Sequence, residues 1–159
     1  MQLNNRSKCI ASIFICQLAG FLGALYTQPA IPGWYAALSK PAFTPPDRIF
    51  APVWTGLYFL MGVALFLIWK NPVVSVAARR AKALFMVQLA LNVVWSGVFF
   101  GLRWPLGGLA VIWVLWTLIL AMVIVFYRLS KPAGLLLVPY LAWVGFAAVL
   151  NYFIWILNR

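Results

Sequence analysis

Residues Leu106–Tyr127, LGGLAVIWVLWTLILAMVIVFY, run without one charged side chain. A helix of about 20 apolar residues crosses about 30 Å of hydrocarbon, and this run has that length. It is one of five such stretches: Ile10–Tyr26, Ile49–Trp69, Ala83–Leu102, Leu106–Tyr127 and Ala133–Leu157. Transmembrane barrel strands would be half as long and would alternate in polarity, which these do not. Backbone groups in lipid must pair within their own segment. The expected fold is therefore all-α, an integral membrane bundle of five transmembrane helices forming a single domain over residues 1–159.

Composition agrees. The AVILMFWYC set makes up 66% of the chain and charged residues 8%, where soluble domains have roughly 45–50% apolar residues, with Gly counted, and about 25% charged ones. The same arithmetic excludes chemistries. There is no His, and Asp47 is the single carboxylate. Zinc sites, two-carboxylate glycosidase sites and Ser-His-Asp triads cannot be built. No resident metal or cofactor is expected. Function is left to aromatic rings, amides, hydroxyls and shape.

The net charge of +11 comes from 12 Lys and Arg. They are scattered between apolar spans, which argues against nucleic-acid binding and for a topogenic role. Arg6, Lys8, Lys70, Arg79, Arg80, Lys82, Arg128 and Lys131 fall on one side, and Lys40, Arg48, Arg103 and Arg159 on the other. Basic residues accumulate on the cytoplasmic side, so the N-terminus is expected in the cytoplasm of a bacterial cell. The first span is too long for a signal-peptide core and no A-x-A site follows it, so it reads as a retained helix. Cys9 and Cys16 lie two helical turns apart, roughly 10 Å, too far for a disulfide.

Prolines punctuate the spans. Pro52 is expected in the first turn of the second helix, with Asp47 as its N-terminal cap. Pro139 should kink the fifth helix and free a carbonyl near Leu135. The first connection, residues 27–48, holds Pro29, Pro32, Pro41, Pro45 and Pro46 with Trp34, Tyr35 and Phe43. Prolines lower its unfolded entropy and aromatics give it surface to bury. It reads as an ordered lid across the mouth of the bundle.

Helical spacing groups the polar and aromatic residues. Trp54 and Tyr58 share a face, as do Gln88, Asn92, Trp95 and Phe99, the pair Trp113 and Trp116, and Trp143, Ala147 and Asn151. Amides in hydrocarbon must find partners, so Gln88, Asn92 and Asn151 should turn inward and carry the neighbouring rings with them. Gln88 and Asn151 are expected to fasten helices. Trp54, Asn92 and Trp143 are expected to face a cavity suited to a flat apolar ligand, with donors from Trp54, Trp95, Trp143, Tyr58 and Asn92. Trp69 and Trp104, near span ends, read as interfacial belt residues. Gly97 and Gly101 form a GxxxG, and Ala19/Gly23 and Gly20/Ala24 are small-xxx-small pairs, serving contacts within the bundle or a homodimer.

These residues resemble a known family. Trp34-Tyr35-Ala36-Ala37-Leu38-Ser39-Lys40-Pro41, Pro45-Pro46 and Pro52-Val53-Trp54-Thr55-Gly56-Leu57-Tyr58 are similar to the first loop and second helix of the translocator proteins, TspO/MBR, also called tryptophan-rich sensory proteins and peripheral benzodiazepine receptors. Gln88-Leu89-Ala90-Leu91-Asn92 with Trp95 and Phe99-Phe100-Gly101 resembles their third helix. Pro139-Tyr140-Leu141-Ala142-Trp143, Phe146-Ala147 and Leu150-Asn151-Tyr152 resemble the fifth. The resemblance implies a homodimer that binds tetrapyrroles such as protoporphyrin IX, and isoquinoline or benzodiazepine ligands, in a pocket closed by the first loop. It implies ligand contacts at Tyr35, Pro45, Trp54, Tyr58, Asn92 and Ala147; the cavity reading adds Trp95 and Trp143. Trp54 and Trp143 match the two tryptophans required where family members degrade protoporphyrin with light and oxygen.

The chain also departs from the pattern. Six residues separate Tyr152 from Arg159, beyond the one to five of the sterol motif, so animal-type sterol recognition is not expected. Phe43 stands where several bacterial members have tryptophan. Two functions compete: a receptor or transporter whose Lys40 and Arg48 pair with ligand propionates, and an enzyme in which the porphyrin's own photochemistry is steered by Trp54 and Trp143. A scaffold for other membrane proteins would need neither an inward Asn92 nor an aromatic lid.

Overall fold

The structure, a computed structural model, describes residues 4–70 and 75–159. Among these the chain is helical, with no strand, and five helices are long and apolar enough to cross a membrane. Large apolar side chains such as Phe14, Phe21, Phe59, Val87, Val114 and Val149 point outward, which is stable only where the surrounding solvent is lipid.

The first helix, α1 (Asn5–Ala30), is started by Asn4, whose side chain accepts from the Ser7 N–H at 2.8 Å. It does not stop near Tyr26. It passes Pro29 and continues through a π-turn, Ile31–Tyr35. Pro29 lies inside the α-helical part, where it cannot donate to the Leu25 carbonyl, and Pro32 falls in the first turn of the π segment. The first half of the expected lid is therefore an extension of α1, and the irregular connection is confined to residues 38–46.

Helix α2 (Asp47–Trp69) begins two residues before the expected start. Pro46 holds the N-cap position without a side-chain bond, so Asp47 is the first helical residue and not the cap. Pro52 accordingly lies inside the helix and not in its first turn. Helix α3 (Val76–Ser96) starts well before Ala83, because the Ser75 hydroxyl caps it by accepting from the Ala78 N–H at 3.0 Å. It ends in a second π-turn, Gly97–Gly101. Helix α4 spans Pro105–Leu129. The fifth span is two helices, α5 (Lys131–Leu136) and α6 (Val138–Leu157), broken at Leu137. Pro139 cannot donate to Leu135, and the Leu137 N–H turns to Gly134 O at 3.1 Å.

Small residues set the helix approaches. A Cβ on Gly62 of α2 would lie 2.7 Å from the Ile13 Cα of α1, and one on Gly20 would lie 2.6 Å from the Tyr58 ring. Gly97 and Gly101 both face Tyr26 of α1, a contact within the chain. One half of the bundle is filled, with Phe85 stacked on Phe126 at 5.9 Å among the fully buried Met61, Ile119 and Met122. The other half, toward residues 38–46, is hollow.

Candidate functional site

The hollow half is a cavity of about 360 Å³, within the ~300–1,000 Å³ typical of small-molecule sites. Its wall comes from α1, α2, α3 and α6. Helix α2 supplies Trp54 and Tyr58, stacked at 5.6 Å. Helix α6 supplies Trp143, which meets Phe50 of α2 at 6.1 Å and Phe146 at 5.7 Å. Helix α3 supplies Trp95, stacked on Phe99 at 5.6 Å. The extension of α1 brings in Tyr35, against Phe100 at 5.6 Å.

Of the residues singled out from the sequence, Tyr35, Trp54, Tyr58, Asn92, Trp95, Trp143 and Ala147 line this one cavity. Pro45 is not among its lining residues. Helix α4 lines none of it: Trp113 is 54% exposed on the outer face, and Trp116 lies over Gly145 of α6. The small and polar face of α1, including Gln17, Gly20 and Gly23, forms part of the wall. Helix α1 has the close approach because its glycines admit the Tyr58 ring and the Ser96 hydroxyl.

A buried polar chain runs from the cavity into the filled half. The Tyr58 hydroxyl donates to Asn92 Oδ1 at 2.6 Å. Asn92 Nδ2 donates to the Tyr140 hydroxyl at 2.8 Å, and Tyr140 donates to Gln88 Oε1 at 2.9 Å. Asn92 thus lines the cavity with its amide oxygen and one of its two Nδ2 hydrogens engaged within the protein. Gln88 does fasten helices, although among the described residues its Nε2 has no partner and neither has the buried Ser12 hydroxyl. Asn151 also fastens: Nδ2 donates to Pro105 O at 2.8 Å and Oδ1 accepts from the Trp95 indole at 3.4 Å. Tyr140, the centre of the chain, was legible only as part of the Pro139-Tyr140-Leu141 motif, since a buried tyrosine has no mark that separates it from an interfacial one.

Residues 38–46 are tied down at several points. The Asn158 amide accepts from the Ser39 N–H at 3.0 Å and donates to Ser39 O at 2.9 Å. Phe43 packs edge-on against Phe153 at 5.5 Å and Phe146 at 6.2 Å. Lys40 Nζ donates to Tyr35 O at 2.6 Å and sits 4.6 Å from the Tyr35 ring centroid. Its ammonium is held on the π-turn that extends α1, and neither Lys40 nor Arg48 lines the cavity.

Tryptophans from α2, α3 and α6 wall one cavity, while residues 38–46 are fastened against the far end of α6 and supply none of its lining. The TspO/MBR family model matches residues 12–156. The chain belongs to the TspO/MBR family. It is 44% identical over 154 residues to the tryptophan-rich protein TspO of Archaeoglobus fulgidus, covering 97% of this chain and 99% of that one. The translocator protein of Bos taurus is 42% identical over 148 residues, 87% of this chain and 82% of its own. The tryptophan-rich sensory protein of Cereibacter sphaeroides is 39% identical over 119 residues, 75% and 73% of the two chains. This TspO/MBR chain is a multi-pass membrane protein, and its family supports a membrane-receptor role.

Proposed function

We propose that this protein is a receptor or transporter that takes a tetrapyrrole such as protoporphyrin IX, or a smaller isoquinoline- or benzodiazepine-type ligand, into the aromatic cavity. The observation that carries the reading is the placement of Trp54, Trp95 and Trp143 around one void of about 360 Å³. Aromatic walls bind a flat ligand by stacking and by excluding water. The volume is at the lower end of the usual range, so a macrocycle occupies it with part of its rim at the mouth, beside residues 38–46. Ordering of that connection then sets entry and exit. Eight basic residues against four support a reading with the N-terminus in the cytoplasm and the bundle in a bacterial cell membrane. A homodimer is the assembly that goes with the family resemblance.

A second reading, photo-oxidative degradation of protoporphyrin, is favoured by one observation: Trp54 and Trp143, the two matched tryptophans, both stand in the cavity wall. One experiment addresses both. Purified protein is titrated with protoporphyrin in the dark, following tryptophan quenching, and then illuminated in oxygen while the porphyrin absorbance is followed. Saturable quenching without a new product supports the receptor. A product that forms with wild type but not with Trp54→Phe or Trp143→Phe supports the enzyme. Absence of saturable quenching refutes both.

A further inference from the structure

The cavity differs in charge from the protein that surrounds it. Twelve Lys and Arg face one carboxylate in this chain. None of the twelve lines the cavity, and the carboxylate residue, Asp47, does. Asp47 stands exposed at the mouth as the first residue of α2. Among the described residues it forms no ion pair within 4.0 Å. Lys40, the basic residue before it in the chain, donates to the carbonyls of Tyr35 and Ala36, and Arg48, the residue after it, is not part of the wall.

The rest of the wall has the same electrostatic sign. Aromatic rings present negative faces, and a cation within about 6 Å of a ring centroid is attracted to them. Tyr35, itself a lining residue, already holds a cation in this way, with Lys40 Nζ at 4.6 Å. An unpaired carboxylate at the opening and π-faces behind it make a recognition pattern for a lipophilic cation.

We infer that the preferred occupant of this cavity is a planar aromatic cation, a protonated aromatic amine or an N-alkylated heteroaromatic. Its charged edge meets Asp47, and its ring lies against Trp54 and Trp143. The inference rests on the reading of the cavity as a site for flat ligands and adds the charge of the ligand. A neutral isostere loses both the ion pair and the cation–π attraction. A ligand with acidic groups binds with that edge turned away from Asp47.

The test uses acridine, which is neutral at mildly alkaline pH, and N-methylacridinium, which is permanently cationic, titrated into the full-length protein in one detergent with tryptophan quenching as readout. Wild type binds the cation at least about threefold more tightly than the neutral ring. That ratio falls toward one in Asp47→Asn and persists in Asp47→Glu. It also shrinks as salt screens the mouth, a readout that needs no variant. A wild-type ratio near one, or a ratio unchanged by Asp47→Asn and by salt, overturns the inference and leaves the flat-ligand site standing. Saturation by N-methylacridinium but not by protoporphyrin supports the inference and refutes the tetrapyrrole as ligand. Saturation by none of the three overturns the inference together with the receptor reading.

Discussion

Replacing Tyr140 by Phe tests the polar chain at its centre. The change keeps the ring, which is fully buried, and removes one oxygen that serves two partners. Asn92 Nδ2 loses an acceptor at 2.8 Å and Gln88 Oε1 loses a donor at 2.9 Å. The Gln88 amide is then without partners at both ends, because among the described residues its Nε2 has none in the wild type. In water-soluble cores each orphaned group costs about 1–3 kcal/mol. Interhelical hydrogen bonds in membrane bundles average about 0.6 and reach about 1.7 kcal/mol, because the unfolded chain in the bilayer finds other partners. Here the affected groups are buried on α3 and α6, where no water replaces the lost oxygen, so the upper membrane value is the relevant one. Two bonds of that size predict a loss of about 3 kcal/mol. Reversible unfolding in mixed micelles of increasing SDS fraction, followed by tryptophan fluorescence, measures it. Adding Gln88→Leu to Tyr140→Phe should cost less than the sum of the single changes, since the two remove the same bond. A Tyr140→Phe protein within about 0.5 kcal/mol of wild type, the range of an unremarkable surface change, would refute the argument that this chain holds α3 to α6.

Asn158→Ala removes both bonds to Ser39 and should release residues 38–46; limited proteolysis within that connection is expected to quicken several-fold, with the unfolding transition little changed. Gly62→Val places a side chain where even a Cβ meets the Ile13 backbone at 2.7 Å, and should lower stability by at least about 2 kcal/mol, read by thermal unfolding in detergent. Trp113→Phe should reduce quenching by brominated lipid, because that ring is 54% exposed on the outer face; Trp95→Phe should reduce quenching by a cavity ligand instead. The reverse assignment would place α4 in the cavity wall.

The five spans were legible because lipid imposes long apolar runs, but their ends were not. Hydropathy halts at Arg79, Arg80 and Lys82, whereas α3 begins at Val76 under the cap of Ser75, since charge does not interrupt a helix that has left the hydrocarbon. Pro29 and Pro32 read as loop residues, yet the chain remains helical through both, α at Pro29 and π at Pro32. Within the site, Trp143 was placed because Asn151, about two turns away on the same helix, had to face inward; α2 carries no amide, and Trp54 was placed by its shared face with Tyr58 and its match to the family motif. Trp113 carries no such neighbour. Its period gives a shared face with Trp116 but not the direction of that face, because lipid and core accept the same ring. Asn92 was found by type and spacing; that its amide is already engaged depends on Tyr58 and Tyr140 arriving from two other helices. The contribution of α1 went unread because glycines mark a close approach without naming the partner.

The clasp between Ser39 and Asn158 joins positions 119 residues apart. Its consequence lies in the order of biosynthesis. The first connection emerges from the ribosome early, but the partner that fastens it is made 119 residues later. The connection is therefore fastened only after α6 has been made, and a nascent chain that stops short of Asn158 lacks this clasp.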